Sequence, residues 1–320
     1  MDKELYRRSM MAEIAYLYYK KGLTQEEIGQ RMFLSRTRIS RLLQQAYDSG
    51  IVEVKVHSQL MRNYVLEESI RQRFPIKQAL IYNSRDKDEK EIVQGVASVA
   101  AEYIKTMLRK NLTIGVSWGR SVSETVDALE VDDPISANIV QIMGFAAMDD
   151  FSKNSNDIAG RLAHKLRGRV YYLNTPLFVE DDHTRERIIS DPVVFKTIML
   201  AKSADLVITG IGAMDNTLTA NPWAGYMNNE MLQEIIGQGG VGCIGSIFFD
   251  GEGEILCNRW NNHCIGIPLE DLKRMDAVLA VAWGTAKCRA IIGAMRGGLI
   301  DVIASDAETM EEIIRIYDNR

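Results

Sequence analysis

The stretch "LTQEEIGQRMFLSRTRISRLL" (23–43) closes on Ser35, Arg36, Thr37, Arg38, Ser40 and Arg41. Three guanidinium groups and three hydroxyls thus fall within seven positions. Arginine donates two parallel hydrogen bonds to guanine N7 and O6, hydroxyls bind bases or phosphates, and a helix N-terminus attracts a phosphate oxygen. A solvated basic helix face has the same composition, so charge alone does not decide. Its distribution helps: the whole chain carries a formal −5, yet residues 1–56 hold 10 Lys+Arg against 7 Asp+Glu and residues 57–320 hold 28 against 36. Only the first segment is suited to approach a polyanion such as DNA.

A second chemistry lies in "GVSWGRSVSETV" (115–126), an apolar strand end running into a helix start. Gly119, Ser117, Ser121 and Ser123 would offer backbone N–H groups and hydroxyls there, and Arg120 a charge that grips an anion bidentately. The nucleoside-triphosphate phosphate loop is excluded, because neither its G-x-x-x-x-G-K-[ST] spacing nor its lysine is present. Lys287, in "AWGTAKCRAI", stands near another helix start and would complete a dianion site begun by Arg120. Asp250 in "FFDGEGE" reads as a carboxylate accepting from sugar hydroxyls or, nearly as well, as the closure of a turn before Gly251. "GQGGVG" (237–242) matches G-x-G-x-x-G by letter, but a helix precedes it and a strand follows it. The dinucleotide fingerprint needs the reverse order, so no NAD is expected, nor any other cofactor.

These residues need elements to hold them. "SMMAEIAYLYYKKG" spaces Ile14, Leu17 and Tyr18 helically and stops at Gly22. Thr24 with Glu27 three positions on has the capping-box spacing, and that second helix runs to about Met32. Ser35 caps a third, whose apolar face is Ile39, Leu42, Leu43 and Ala46. "IVEVKV" alternates like an edge strand. Three helices and a strand are the plan of a winged helix-turn-helix over 1–57, which makes α-helical Arg36 to Arg41 the residues that read double-stranded operator DNA. Gln25, with Lys20, Lys21 and Lys55, is placed for phosphates. Residues 58–75 read as a linker helix stopped by Pro75, and 76–320 as an α/β effector domain. There "KQALIY", "LTIGVSWG", "ANIVQIMG", "RVYYLN", "ADLVITGIG", "AVLAVAWG" and "IDVIASD" are the strands of a mostly parallel sheet. Ligands bind such sheets where the strands end.

"GLTQEEIGQRMFLSRTRISRLLQQAYDSGIVEVKV" resembles the DNA-binding region of the SorC/DeoR-type sugar-responsive bacterial transcriptional regulators, and the resemblance runs to about residue 310. It implies a Rossmann-like effector domain similar to sugar-phosphate enzymes of the NagB/RpiA type. It further implies a sugar or sugar-phosphate effector held by Ser117, Gly119, Arg120, Ser121, Gly144, Asp250 and Lys287, and a homo-oligomer built as two dimers. Three positions depart from the pattern. Met143 stands where a deoxyribose-phosphate-sensing member uses a lysine to form a Schiff base, which excludes covalent capture at that position. Phe145 and Trp283 replace glycines and narrow or cover the pocket. In the turn, Phe33 stands where relatives often carry Gly or Asn; either the turn has another shape or Phe33 packs well enough to offset the strain of a positive φ.

An enzyme acting on a sugar phosphate is the competing class. Its acid–base candidates, Asp181, Asp182, His183 and His263, form no recognisable constellation, and "EDDHTRER" reads as a solvated charged loop. A non-enzyme is therefore expected. The four cysteines (Cys243, Cys257, Cys264, Cys288) lack metal-finger spacing and read as free buried thiols. With 46% hydrophobic residues, no secretory leader pattern and no apolar run of the roughly 20 residues that span a bilayer, the chain is expected in the cytoplasm.

Overall fold

The computed structural model describes residues 3–52, 61–133, 135–145, 151–214 and 228–319. Two compact units, Met1–His57 and Ser58–Arg320, each have their own core.

In the small unit, α1 (Lys3–Ala15) widens into a π turn at Tyr16–Lys20, and α2 (Gln25–Met32) and α3 (Arg36–Asp48) follow. Ile14, Leu17, Ile28, Ile39, Leu42 and Leu43 are buried together. These are the helical-period positions of all three segments, so the amphipathic pattern and the packing agree. Thr24 accepts the Glu27 N–H while the Glu27 carboxylate accepts the Thr24 N–H, a complete capping box. Ser35 caps α3 by accepting from the Arg38 N–H at 3.3 Å. The expected wing strand, Lys55 included, lies outside the described residues beyond Ile51 and Val52.

The large unit opens with α4 (Tyr64–Arg73), capped by Asn63 and ended where Phe74 turns extended ahead of Pro75. Leu66, Ile70 and Phe74 enter this unit's main core. The buried Glu67 carboxylate receives a bidentate Arg62 at 2.7 Å and the Ile81 N–H at 2.9 Å. The helix expected as a connector is thus tied into the unit that follows it.

The sheet contains β1 (Gln78–Tyr82), β2 (Thr113–Val116), β3 (Asn138–Gln141), β4 (Arg169–Tyr171), β5 (Leu206–Gly210), β9 (Val278–Val281) and β10 (Val302–Asp306). Between β5 and β9 the chain forms a separate antiparallel sheet of β6 (Gly212–Ala213), β7 (Gly240–Ile244) and β8 (Ile247–Asp250). The large sheet runs β1-β10-β9-β5-β2-β3-β4, parallel throughout. Successive residues feed opposite faces: Val207 faces one core, Leu206 and Ile208 the other. Burial on both faces is why these segments read as continuous apolar runs rather than alternating ones.

Connecting helices are α5 (Glu89–Met107), α6 (Arg120–Ala128), α7 (Ser155–Leu166), α8 (Asp182–Ile189), α9 (Pro192–Lys202), α10 (Asn229–Gly237), α11 (Arg259–Asn262), α12 (Leu269–Leu272), α13 (Cys288–Arg296) and α14 (Ala307–Asp318). Two expectations change. "EDDHTRER" is helical, because the Asp181 side chain accepts the Thr184 N–H at 2.8 Å and starts α8. Cys243, Cys264 and Cys288 are buried, but Cys257 is exposed. Among the described residues no helix is long and apolar enough to cross a membrane.

From β2 the chain proceeds outward to β3 and β4, then returns to β5 on the other side of β2 and continues to β9 and β10. Strands β2 and β5 therefore flank the switch point, whose carboxyl-end crevice is the ligand position of open parallel sheets.

Candidate functional site

On α3, Ser35, Arg36, Thr37, Arg38, Ser40 and Arg41 are all exposed, while Ile39, Leu42 and Leu43 between them are buried. None of the three arginines forms an ion pair among the described residues. Gln25 is half-buried at the start of α2, and Lys20 and Lys21 are exposed near the end of the preceding turn. The exposed polar residues occupy the first two turns of α3 and its cap.

The turn before α3 closes by two backbone bonds, Phe33 N–H to the Gln30 carbonyl and Leu34 N–H to the Gly29 carbonyl at 2.9 Å. This left-handed helix stop places Phe33 at φ 55°, ψ 38°. The turn keeps its ordinary shape, so Phe33 carries the strain, about 1 kcal/mol for a non-glycine residue. Packing does not offset it, because Phe33 is 95% exposed. Sequence reasoning missed Gly29, where a Cβ would stand 2.7 Å from the Leu34 carbonyl oxygen. A glycine four positions before the turn residue was the available signal.

In the large unit, β2 ends at the switch point and the chain turns through Ser117, Trp118 and Gly119 into α6. Gly119 takes φ 105° and supplies no side-chain cap. Its own N–H is donated to the Lys153 carbonyl at 2.9 Å, and the Ser117 N–H to the Ile208 carbonyl at 3.1 Å. Ser117 and Ser121 are buried, and Arg120 is exposed. Strand β5 approaches closely here because Gly210 lacks a Cβ, which would meet Ser121 Oγ at 2.8 Å. Ser123 is turned to structural work, donating to the Ser152 carbonyl and accepting from Arg161.

Past the end of β9, Trp283 and Gly284 (φ 95°) lead through a 3₁₀ turn, Thr285–Lys287, into α13. Again no side chain caps the start. Side chains cap α2 to α5, α7 to α11 and α14, whereas α6, α12 and α13 start without one, and two of these three uncapped starts, those of α6 and α13, carry the two cations. The fold brings Arg120 and Lys287 to one indole: the guanidinium carbon is 5.9 Å from the Trp283 ring centre and the Lys287 Nζ is 6.0 Å from it. Burial pushes the Lys287 pKa down, and Arg120 adds to the shift. Cys243 is fully buried and its thiol is pushed up to about 12, so it stays neutral. Glu89 reaches Arg120 at 3.1 Å from the first turn of α5.

Two other residues are held differently. Gly144 donates its N–H to the Ile265 carbonyl, and a Cβ there would fall 2.4 Å from the Pro176 carbonyl oxygen. Asp250 accepts the Glu252 and Glu254 N–H groups, both at 2.9 Å, and so closes its own turn. Phe145 is half-buried and Met143 belongs to the core. The acid–base candidates lie together at the start of α8, where Asp181 caps the helix and Asp182 faces His263 at 3.5 Å, away from Arg120 and Lys287 in sequence.

Residues 58–315 match the family model described as "Putative sugar-binding domain", and residues 11–49 match the one described as "Sigma-70, region 4". The chain is 25% identical over 315 residues to the deoxyribonucleoside regulator of Bacillus subtilis, covering 98% of this chain and 99% of that one. It is 27% identical over 319 residues to the transcriptional regulator LsrR of Escherichia coli, covering 98% and 97%. The crystal structure of the full-length sorbitol operon regulator SorC from Klebsiella pneumoniae superimposes with a TM-score of 0.82 at 26% identity, covering 95% of this chain and 97% of that chain.

Proposed function

Because the chain belongs to the sugar-binding-domain family, we propose that it is a DNA-binding transcriptional regulator whose operator binding is controlled by a sugar or sugar-phosphate effector. The observation that carries this reading is one chain joining an exposed basic recognition face to an anion site. The face is Arg36 to Arg41 on the capped α3. The site is Arg120 and Lys287 against Trp283 beside two uncapped helix starts.

Each part has a physical role. Arg36, Arg38 and Arg41 donate to base edges and phosphates of double-stranded DNA, with Thr37, Ser40 and Ser35 filling between them and Gln25 at the backbone. A phosphate on the effector accepts from N–H groups at the start of α6 and of the 3₁₀ turn that leads into α13, and is neutralised by Arg120 and Lys287. The Trp283 face packs on the C–H side of the sugar. Two cations at one ring favour a phosphorylated effector over a neutral sugar, since the anion relieves their repulsion. One recognition helix buries too little surface for tight specific binding, which supports a homo-oligomer, two dimers in the family plan. Effector control then requires unequal affinity of the ligand for two arrangements of the assembly.

A thermal-shift screen of sugars and sugar phosphates tests the effector half. A matching sugar phosphate at 100 times its dissociation constant stabilises the large unit by roughly 2.7 kcal/mol. A panel in which no sugar phosphate raises the transition, or in which Arg120→Ala keeps the full shift, contradicts the site.

A further inference from the structure

We infer that Phe33 is a DNA-contacting residue that helps set sequence preference, its phenyl ring packing on a thymine methyl group next to the base pairs met by the first turn of α3. The inference rests on the DNA-binding reading and extends it from the polar residues of α3 to an apolar one in the turn.

Three consecutive apolar residues, Met32, Phe33 and Leu34, form this turn. Met32 and Leu34 pack against the small unit's core, whereas Phe33 is 95% exposed, the most exposed of the large apolar side chains described. The left-handed backbone at φ 55° is what sends the neighbours inward and the phenyl outward. Glycine fits that backbone better than phenylalanine does. The ring therefore costs the unit in both strain and solvation and gives nothing back to its packing. Strain of this kind gathers at binding sites, and large exposed apolar groups mark contact surfaces.

The surroundings name the partner. Phe33 lies two residues before the Ser35 cap, and exposed Arg31, Arg36 and Arg38 surround it in sequence, none of them in an ion pair with described residues. A ring set in an unneutralised cationic surface suits a polyanion that also offers an apolar edge. Duplex DNA is such a partner: its major groove presents the thymine C5-methyl group beside the acceptors that arginine reads.

The test compares the wild-type chain with Phe33→Gly on the duplex that wild type enriches from a randomised library. Glycine relieves the positive φ, so the variant folds and its transition temperature is equal or higher. Its affinity for the enriched duplex is expected to fall about ten-fold, the size of one mismatched base pair, with affinity for a random duplex unchanged. The slope of log affinity against log salt stays the same, because no phosphate contact is lost. Replacing one thymine per half-site by deoxyuridine weakens wild type by a similar factor and leaves Phe33→Gly unaffected. Equal affinity of the two proteins for the enriched duplex, equal loss on both duplexes, or no uracil-sensitive position overturns the inference. If wild type enriches no duplex at all, the DNA-binding reading fails and the inference fails with it.

Discussion

Arg120 and Lys287 approach the same indole, 5.9 and 6.0 Å from the centre of the Trp283 ring, although one opens α6 and the other ends the turn before α13. Two cations at one aromatic ring gain from its quadrupole, but they also repel each other. On the proposed reading an arriving dianion removes that repulsion, so the unliganded site should cost stability that binding recovers.

Lys287→Met should therefore stabilise the ligand-free chain while abolishing its response to sugar phosphates. The sign follows from the lowered pKa. Below the folded value the native state holds an ammonium whose burial is unfavourable, and that cost fades as pH rises toward the ordinary lysine value of 10.5. Thermal melts of both proteins from neutral pH to about 10.5 check this. The variant's advantage should be largest at neutral pH and shrink as pH rises; an advantage that grows with pH would mean the lysine is not penalised.

Glu89→Gln removes the carboxylate that pairs with Arg120 at 3.1 Å. Glu89 is 76% and Arg120 48% exposed, so the pair is worth at most about 1 kcal/mol and its loss should tighten sugar-phosphate binding by no more than about five-fold. Isothermal titration at low salt reads the gain. It should vanish near 1 M salt, where the screening length is about 3 Å. Weaker binding would place Glu89 among the ligand's own contacts instead.

Gly29→Ala puts a Cβ 2.7 Å from the Leu34 carbonyl oxygen, a backbone atom. Ala gains about 1 kcal/mol of helix propensity over Gly, but forcing the turn open costs about 1–3 kcal/mol and displaces the start of α3. Hydrogen exchange should show the Leu34 amide, which donates to the Gly29 carbonyl, losing protection while β2 and β5 amides keep theirs. DNA affinity should drop and effector binding persist. An unaltered Leu34 amide would show that the turn has room that the geometry denies.

Local signals were legible in the sequence. The Thr24/Glu27 box, the Ser35 cap and the seven apolar strand segments each depend on residues a few positions apart, and each is found where spacing placed it. The grouping of Arg120 with Lys287 was anticipated only through the rule that ligands bind at strand ends; their meeting at the Trp283 ring depends on β9 lying two strands from β2. Trp283 read as a cover for the pocket, and nothing in its neighbours indicated the two cations. The choice at Asp250 was open because a carboxylate before Gly251 fits both a turn and a sugar; its two backbone bonds account for the turn. α8 was hidden by its charge, since "EDDHTRER" has no apolar face and only the Asp181 cap marks its start.

Effector control of DNA binding is read by a gel-shift titration of the enriched duplex, with and without the stabilising sugar phosphate, run on wild type, on Lys287→Met and on alanine variants of Arg36, Arg38 and Arg41. Arg38→Ala is expected to lose about 1–3 kcal/mol of DNA affinity while keeping its thermal response to the effector. The effector is expected to shift wild-type affinity and to leave Lys287→Met unmoved. Unchanged affinity in all three arginine variants, or a ligand that binds wild type without altering its DNA affinity, would contradict effector-controlled binding of DNA by α3.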